Sequence, residues 1–177
     1  MDFMECIKSR RSVRKYKSDK VPMECIRKAV EAASFAPSWK NSQVTRYYAV
    51  TTEEIKEKVA DFVPSFNQPA IKSAPVLMVV TVIKQRSGYN REGQADTSKG
   101  DGWQMYDCGA SNMQFCLSAK EQGLGTVIMG YFDEIKIAEV LSIPDTEEVA
   151  ALISLGYPDE EPEMPKRKEV DVLLKEI

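Results

Sequence analysis

The stretch Ala74-Pro75-Val76-Leu77-Met78-Val79-Val80-Thr81-Val82-Ile83 is the longest apolar run in the chain, and it decides the class of fold. The run is too short to cross a membrane as a helix. Its apolar residues are nearly continuous, whereas a half-buried strand would alternate apolar and polar residues. The sequence therefore predicts a central strand that begins after Pro75 and is buried on both faces.

Helices and further strands lie on both sides of this strand in the sequence. The sequence predicts helices over residues 3–8, 22–35, 53–62, 103–122 and 134–141, and the helical spacing of apolar residues is clearest in the second. Short apolar segments predict strands over residues 46–50, 126–129 and 149–155. Pro22 suits the first helical position of the second helix.

Two architectures are compatible with this order of elements. Alternation of helices and strands by itself favours a parallel α/β sheet. Two helices precede the first strand, however, and the chain contains neither the G-x-G-x-x-G fingerprint nor the phosphate-binding G-x-x-x-x-G-K-[ST] loop. An α+β arrangement is therefore at least as good an interpretation.

The composition is that of an ordinary globular protein with a small acidic excess. Of its 177 residues, 43% are hydrophobic and 29% are charged, which suits a single domain over residues 1–177. The net charge of -3 argues against a general nucleic-acid-binding protein. Because Asp2 and Glu5 do not resemble the start of a signal peptide, we expect a cytoplasmic protein that contacts no membrane.

The sequence contains no histidine, and this absence narrows the possible chemistry. It excludes a Ser-His-Asp triad, a Cys-His pair and the common zinc sites. The cysteines Cys6, Cys25, Cys108 and Cys116 form no CxxC motif, so we expect them to be small buried side chains. If the chain is an enzyme, protons are moved by groups other than histidine, or a cofactor supplies the difficult chemistry.

A basic cluster near the start of the chain is the strongest local signal: Ser9-Arg10-Arg11-Ser12-Val13-Arg14-Lys15-Tyr16. A guanidinium group is planar and always charged, and it can donate two parallel hydrogen bonds to a phosphate. In an acidic chain, such a cluster favours a bound anion. The alternative is an exposed helix end, whose cations offset the negative end of the helix dipole.

Three further segments carry polar residues or glycine at places where strands or helices end. They are Pro37-Ser38-x-x-Asn41-x-Gln43, Met129-Gly130-Tyr131-Phe132-Asp133, and Gly156-Tyr157-Pro158 followed by Lys166-Arg167-Lys168. Each segment alone is compatible with an ordinary turn or an exposed tail.

In this order and spacing, the four segments resemble the FMN-dependent nitroreductase family. Residues 7–16 match the pattern I-x-x-R-R-S-x-R-x-[FY], and residues 36–43 match A-P-S-x-x-N-x-Q. Weaker matches are G-x-[FY]-D at residues 130–133 and G-[YF]-P at residues 156–158. The resemblance extends over nearly the whole chain. It implies an α+β fold with a mixed, largely antiparallel central sheet flanked by helices, in an intertwined homodimer.

The resemblance also implies which residues bind FMN. Arg10, Arg11 and Ser12 would bind the phosphate and ribityl chain, and Arg14 would lie toward the pyrimidine edge of the flavin. From the C-terminal region, the phosphate would be reached by Arg167 together with Lys166.

A second set of residues would surround the flavin ring at the subunit interface. The other subunit would contribute Pro37, Ser38, Trp39, Asn41 and Gln43. Backbone groups near the flavin N5 atom would come from Met129, Gly130 and Tyr131, and Asn67 would face the ring.

The implied activity is the transfer of a hydride from NADH or NADPH, through FMN N5, to a small-molecule acceptor such as a nitroaromatic or a quinone. Donor and acceptor would use the same site in turn, in a ping-pong cycle. A fixed arginine would stabilise the negative charge that reduced flavin carries near N1. Because there is no dinucleotide-binding fingerprint, we expect the nicotinamide to bind transiently over the flavin.

Other functions stay open at this point. Within the same family, the chain could carry out enone reduction, flavin reduction or dehalogenation. It could also be a non-catalytic protein that binds or stores flavin, or a small nucleic-acid-binding module, although the acidic charge opposes the latter. Two features depart from the family pattern and bear on the substrate. Val44-Thr45 stands where family members often have Pro-Trp. Residues 84–102 form a long polar loop, and such loops are usually functional or mobile.

Overall fold

The long apolar run forms β2, at residues Val76–Ile83, and its residues from Val76 to Val82 are buried. The computed structural model describes residues 1–177. The helices are α1 (Phe3–Ser9), α2 (Met23–Ser34), α3 (Glu53–Ala60), α4 (Gln68–Ser73), α5 (Gly102–Glu121), α6 (Glu134–Leu141) and α7 (Val170–Leu173). The other strands are β1 (Thr45–Val50), β3 (Gly125–Met129) and β4 (Glu147–Gly156), and a 3-10 turn at Trp39–Asn41 precedes β1.

The four strands form one antiparallel sheet in the order β1-β2-β4-β3. Ser12 adds one parallel bridge to Thr126, at the outer edge of β3. The sheet is therefore mixed and largely antiparallel, as the α+β interpretation predicts. The parallel α/β alternative is wrong.

Both faces of the sheet are covered by helices, which explains the unbroken apolar pattern of β2. One core cluster joins Met78 and Val80 to α2 and α5, where Phe115 is fully buried. The cluster on the opposite face joins Leu77 and Val79 to α3, α4 and α6. Successive residues of a strand point to opposite faces, so β2 contributes to both clusters.

Two details differ from the sequence-based prediction. The patterns do not predict α4, which is only six residues long and carries a proline in its first turn. Pro22 lies at the N-cap of α2 and not in its first helical position, because its ψ of 139° is extended and the helix begins at Met23.

The cysteines are mostly buried side chains, as the sequence predicts. Cys6, Cys108 and Cys116 are buried, and Cys25 is half-buried against the same core. Burial raises the pKa of the Cys108 thiol to about 11, so this thiol stays protonated and unreactive at neutral pH. None of the helices has the length and apolar character needed to cross a membrane.

The basic segment, residues 10–17 after α1, crosses the end of the sheet where β3 begins and β4 ends. Backbone hydrogen bonds hold it there, from the Val13 N–H to the Thr126 carbonyl at 3.0 Å and from the Lys17 N–H to the Tyr157 carbonyl at 2.9 Å. Val13 and Tyr16 are buried beneath the segment. The Tyr16 hydroxyl lies between two backbone carbonyls, those of Val13 and Ser154.

Two paired glycines allow this close approach. Gly125 and Gly156 face each other in β3 and β4. A Cβ atom at Gly125 would lie 2.8 Å from Val13 Cγ2, and one at Gly156 would lie 2.5 Å from Pro75 Cδ and 3.0 Å from Tyr16 Cδ1. A side chain at Gly125 would push the basic segment away from the sheet, and one at Gly156 would collide first with Pro75 and then with Tyr16.

We expect Gly125→Ala and Gly156→Ala each to lower the free energy of unfolding by about 1–3 kcal/mol, because the added methyl group overpacks a tight contact. Urea denaturation measures the effect. Gly102→Ala is the matched control, since its Cβ would have only one neighbour, at 3.7 Å. Equal stability of all three variants and the wild type would contradict the proposed packing constraint.

Candidate functional site

Arginines from both ends of the chain line one cleft beside the start of β3. The cleft has a volume of about 350 Å³ and is lined by Arg10, Arg11, Ser12, Arg14, Pro162, Glu163, Pro165 and Arg167. The fold thus brings Arg167 to the basic cluster. Lys166 is exposed beside Arg167 and is not among the lining residues.

The guanidinium groups in this arginine cleft form no ion pairs. All six ion pairs in the structure involve lysines, although Glu163 lines the same cleft. Four cationic side chains that converge without carboxylate partners create an electropositive cleft. Such a cleft is suited to a phosphate, which accepts paired hydrogen bonds from guanidinium groups.

The arginines of the cluster differ in what they already bind. Arg11 Nη1 donates to the Lys8 carbonyl at 2.6 Å and to the Arg10 carbonyl at 2.8 Å. Arg11 therefore caps the end of α1, which is the role that the helix-end alternative assigns to a cation there. The Arg10 guanidinium makes no hydrogen bond within the chain, so it is free to bind an anion.

A carboxylate holds the backbone of this segment in position. Glu160 accepts hydrogen bonds from the backbone N–H groups of Arg14 and Lys15. The Lys15 side chain pairs with Asp159 at 3.1 Å. The segment is thus fixed through its backbone, and no arginine side chain of the segment is needed to hold it against the sheet.

The Met129-Gly130-Tyr131 segment follows the opposite end of β3. Met129 is buried, whereas Gly130 and Tyr131 are exposed. At about 3.3 Å per residue, β3 separates this segment from the arginine cleft by about 15 Å. Asn67 is half-buried at the N-cap of α4 and lines neither the arginine cleft nor the cavity described next.

The strained turn, residues 37–43 before β1, lines a separate cavity of about 510 Å³. This cavity includes Pro37, Ser38, Asn41 and Gln43 among its lining residues. Lys40, Asn41 and Gln43 have φ values of 47°, 54° and 46°, in the left-handed region that residues other than glycine seldom adopt. Strained backbone of this kind concentrates at functional sites.

Asp107 of α5 holds this turn in place, and sequence reasoning missed it. Its Oδ2 atom accepts hydrogen bonds from the Trp39 N–H at 2.9 Å and from the Ser87 hydroxyl at 2.6 Å, with the Ser42 hydroxyl at 3.5 Å. Asp107 is only 4% exposed. A single carboxylate within a helix has no local signal, because its partners come from two distant segments.

Trp39 is also held by aromatic contact. Its ring centroid lies 4.8 Å from that of Trp103, whose own indole N–H donates to the Thr97 hydroxyl at 2.9 Å. The indole Nε1 of Trp39 is buried without a hydrogen-bond partner. A buried donor of this kind is expected to have a partner in the functional protein.

Within one chain, the arginine cleft and the strained turn lie at opposite corners of the sheet. The cleft is beside the start of β3, at one edge, and the turn precedes the start of β1, at the other. The strand register and the strand spacing together separate them by roughly 25–30 Å. One small ligand cannot contact both within a single chain.

Comparison with known proteins gives the family of the chain. A model described as the nitroreductase family matches residues 7–67 and 62–157. The chain belongs to the nitroreductase family. A relative from Methanothermobacter thermautotrophicus, whose name joins NADH dehydrogenase with NAD(P)H nitroreductase, is 32% identical over 166 residues, covering 92% of this chain and 80% of the relative.

Solved structures of the family share the fold. NADPH:FMN oxidoreductase from Vibrio harveyi, complexed with NAD⁺, is 28% identical with a TM-score of 0.85, over 98% of this chain and 76% of that chain. A structure from Exiguobacterium sibiricum in complex with FMN has a TM-score of 0.88, over 100% of this chain and 98% of that chain. At 23% identity, the second structure supports the shared fold alone.

We expect Asp107→Ala to lower the free energy of unfolding by about 3 kcal/mol, because it leaves the Trp39 N–H and the Ser87 hydroxyl without their acceptor. Chemical denaturation measures the change. Asp19→Ala, at an exposed position without a side-chain hydrogen bond, is the control. A loss no larger than that of the control would show that Asp107 does not anchor the turn.

Proposed function

We propose that this chain is an FMN-dependent NAD(P)H oxidoreductase that reduces a nitroaromatic, a quinone or a similar small acceptor by a ping-pong mechanism. The observation that carries the proposal is the arginine cleft. Its unpaired guanidinium groups come from two distant segments of an acidic chain. The names of the family relatives, which include an NADPH:FMN oxidoreductase, support the same assignment.

In this proposal, the FMN phosphate binds between Arg10 and Arg167, with Ser12 beside it. Arg10 has no competing hydrogen bond, and the backbone of its segment is fixed to the sheet. Arg11 contributes positive charge while it caps α1. A phosphate in this position forms charge-assisted hydrogen bonds, each contributing about 1.5–3 kcal/mol.

The flavin ring then extends from the arginine cleft along β3 toward Gly130. The residues along this path are Arg14 near the pyrimidine edge, Asn67 facing the ring, and the backbone of Met129, Gly130 and Tyr131 near N5. The separation of about 15 Å between the two ends of β3 suits an elongated cofactor with its phosphate at one end. Gly130 is exposed, so a backbone group there is accessible to a ligand.

When bound, FMN supplies hydride transfer at N5, so the protein needs no histidine for this chemistry. The chain's own residues fix the flavin and stabilise charge. Arg14 places a cation where negative charge develops on reduction, and that charge is stabilised without a proton transfer.

We further propose that a homodimer completes the site, with Pro37, Ser38, Trp39, Asn41 and Gln43 supplied by the second subunit. The separation of the arginine cleft from the strained turn supports this, because one chain cannot bring them to one ligand. The strain at Asn41 and Gln43 fits a turn shaped for binding.

Exposed apolar side chains support the same assembly. On α5, Met105, Tyr106 and Met113 are 42%, 70% and 39% exposed, and Phe3 and Met4 of α1 are 69% and 50% exposed. Because α1 packs against α5, these exposed apolar side chains lie on neighbouring helices, as expected of a protein–protein interface.

The C-terminal tail has the same apolar character. Val170, Leu173 and Ile177 are exposed in and after α7. A tail that packs against a second subunit would account for the intertwined dimer. The single domain over residues 1–177 and the cytoplasmic location stay predictions.

The activity is tested by stopped-flow reduction of the FMN-loaded protein with NADH and with NADPH, followed by addition of a quinone or a nitroaromatic. Loss of the flavin absorbance band, and its return with the acceptor, are the expected results. Bound flavin that stays oxidised for minutes would instead support the flavin-storage alternative. A panel of enones, free flavin and halogenated aromatics distinguishes the other chemistries of the family.

We expect Arg10→Ala and Arg167→Ala each to weaken FMN binding by about ten- to a hundredfold, because each removes a charge-assisted contact to the phosphate. Fluorescence titration of the apoprotein with FMN measures the affinity. Arg27→Ala, at an exposed position on α2, is the control. FMN affinity equal to that of wild type in both cleft variants would refute the phosphate assignment.

We expect light scattering to give twice the 19.9 kDa mass of one chain, and the double variant Phe3→Glu/Tyr106→Glu to be a monomer that loses FMN. Two carboxylates in an apolar interface cannot be desolvated without a large cost. Ile135→Glu, at a residue that is 66% exposed on α6, is the control. A wild-type monomer with flavin bound would contradict the dimer.

A further inference from the structure

A second basic cleft lies at the other end of the sheet from the arginine cleft. It has a volume of about 670 Å³ and lies between the strained turn and the loop that follows β2. Its lining residues are Trp39, Lys40, Ser42, Ile83, Lys84, Gln85, Arg86, Tyr89, Asn90, Arg91 and Gly93. Four of them are cations, and none is a carboxylate.

Most of the positive charge in this basic loop cleft is uncompensated. Lys84, Arg86 and Arg91 form no ion pair, and only Lys40 does, with Asp96 at 2.6 Å. The two arginine side chains also make no hydrogen bond within the chain and are exposed. In a protein of net charge -3, this concentration of free cations points to an anionic ligand.

The loop that carries these cations has a defined shape. Tyr89 and Ala95 form an antiparallel bridge, and the Asn90 side chain accepts hydrogen bonds from the N–H groups of Glu92 and Gln94. Asp107 joins the start of the loop to the strained turn through Ser87 and Trp39. The basic wall is therefore fixed relative to the turn.

The position of the basic loop cleft limits the ligands that can bind in it. Trp39 and Ser42 belong to the turn that we assign to the partner's flavin, and they also line the basic loop cleft. A ligand in the cleft therefore lies beside the proposed flavin ring. The FMN phosphate is assigned to the arginine cleft at the opposite corner of the sheet, so it cannot be this ligand.

We propose that the basic loop cleft binds the phosphates of the adenosine half of the reduced pyridine nucleotide and makes NADPH the preferred electron donor. This inference rests on the proposed function. The 2′-phosphate of NADPH adds a dianion that NADH lacks, and Arg86 and Arg91 offer the paired donors that a phosphate accepts. Trp39 and Tyr89 supply aromatic surface for the adenine ring.

Binding is tested by calorimetric titration of the FMN-loaded protein with NADP⁺ and NAD⁺, which bind without reducing the flavin. We expect wild type to bind NADP⁺ about tenfold or more tightly than NAD⁺. In the double variant Arg86→Ala/Arg91→Ala, we expect the ratio of the two affinities to approach one. Because both side chains are exposed and unbonded, the fold and the FMN content are expected to be unchanged.

Arg27→Ala is the matched control and should keep the wild-type ratio. Reduced nicotinamide mononucleotide, which has no adenosine half, should reduce the flavin equally well in the double variant and in wild type. Equal affinity of wild type for NADP⁺ and NAD⁺ would overturn the inference, as would a double variant that keeps the wild-type ratio.

Failure of this inference is distinct from failure of the proposed function. If both nucleotides reduce the flavin with equal efficiency in all variants, the enzyme assignment stands and the phosphate site is refuted. If no nucleotide reduces the flavin, the proposed function itself fails.

Discussion

The contact between the basic segment and the end of the sheet is the constraint on which the rest of the site depends. Gly125 and Gly156 leave room for Val13 and Tyr16, so the segment lies directly on β3 and β4. Backbone hydrogen bonds then fix the segment without using its arginine side chains. The backbone that carries these arginines is therefore already in place before a ligand binds, which lowers the entropic cost of capturing an anion.

A second constraint follows from the topology. In the order β1-β2-β4-β3, the basic segment and the strained turn occupy opposite corners of the sheet. The proposed homodimer rests on this separation, because a single chain cannot bring both features to one small ligand. The topology also separates the two basic clefts, so the two phosphates proposed to bind there would not compete.

Much of the fold could be predicted from the sequence, because β2 is continuously apolar and α2 has clear helical periodicity. The short helix α4 could not be predicted, since six residues carry too little periodic signal.

The arginine cleft was predictable because three of its arginines are close in sequence. Asp107 was not, because its partners Trp39 and Ser87 meet it only in the folded chain. Residues 84–102 show no periodic pattern in the sequence. The basic loop cleft could not be predicted from them, because Lys40 meets their cations only in the folded chain.

The most direct test of the central claim is to compare FMN with riboflavin as ligands of the apoprotein. The two share the flavin ring and differ only in the phosphate. If the arginine cleft binds that phosphate, FMN binds about a hundredfold or more tightly than riboflavin, and its advantage shrinks as the salt concentration rises. Equal affinities for FMN and riboflavin at low salt would contradict the account.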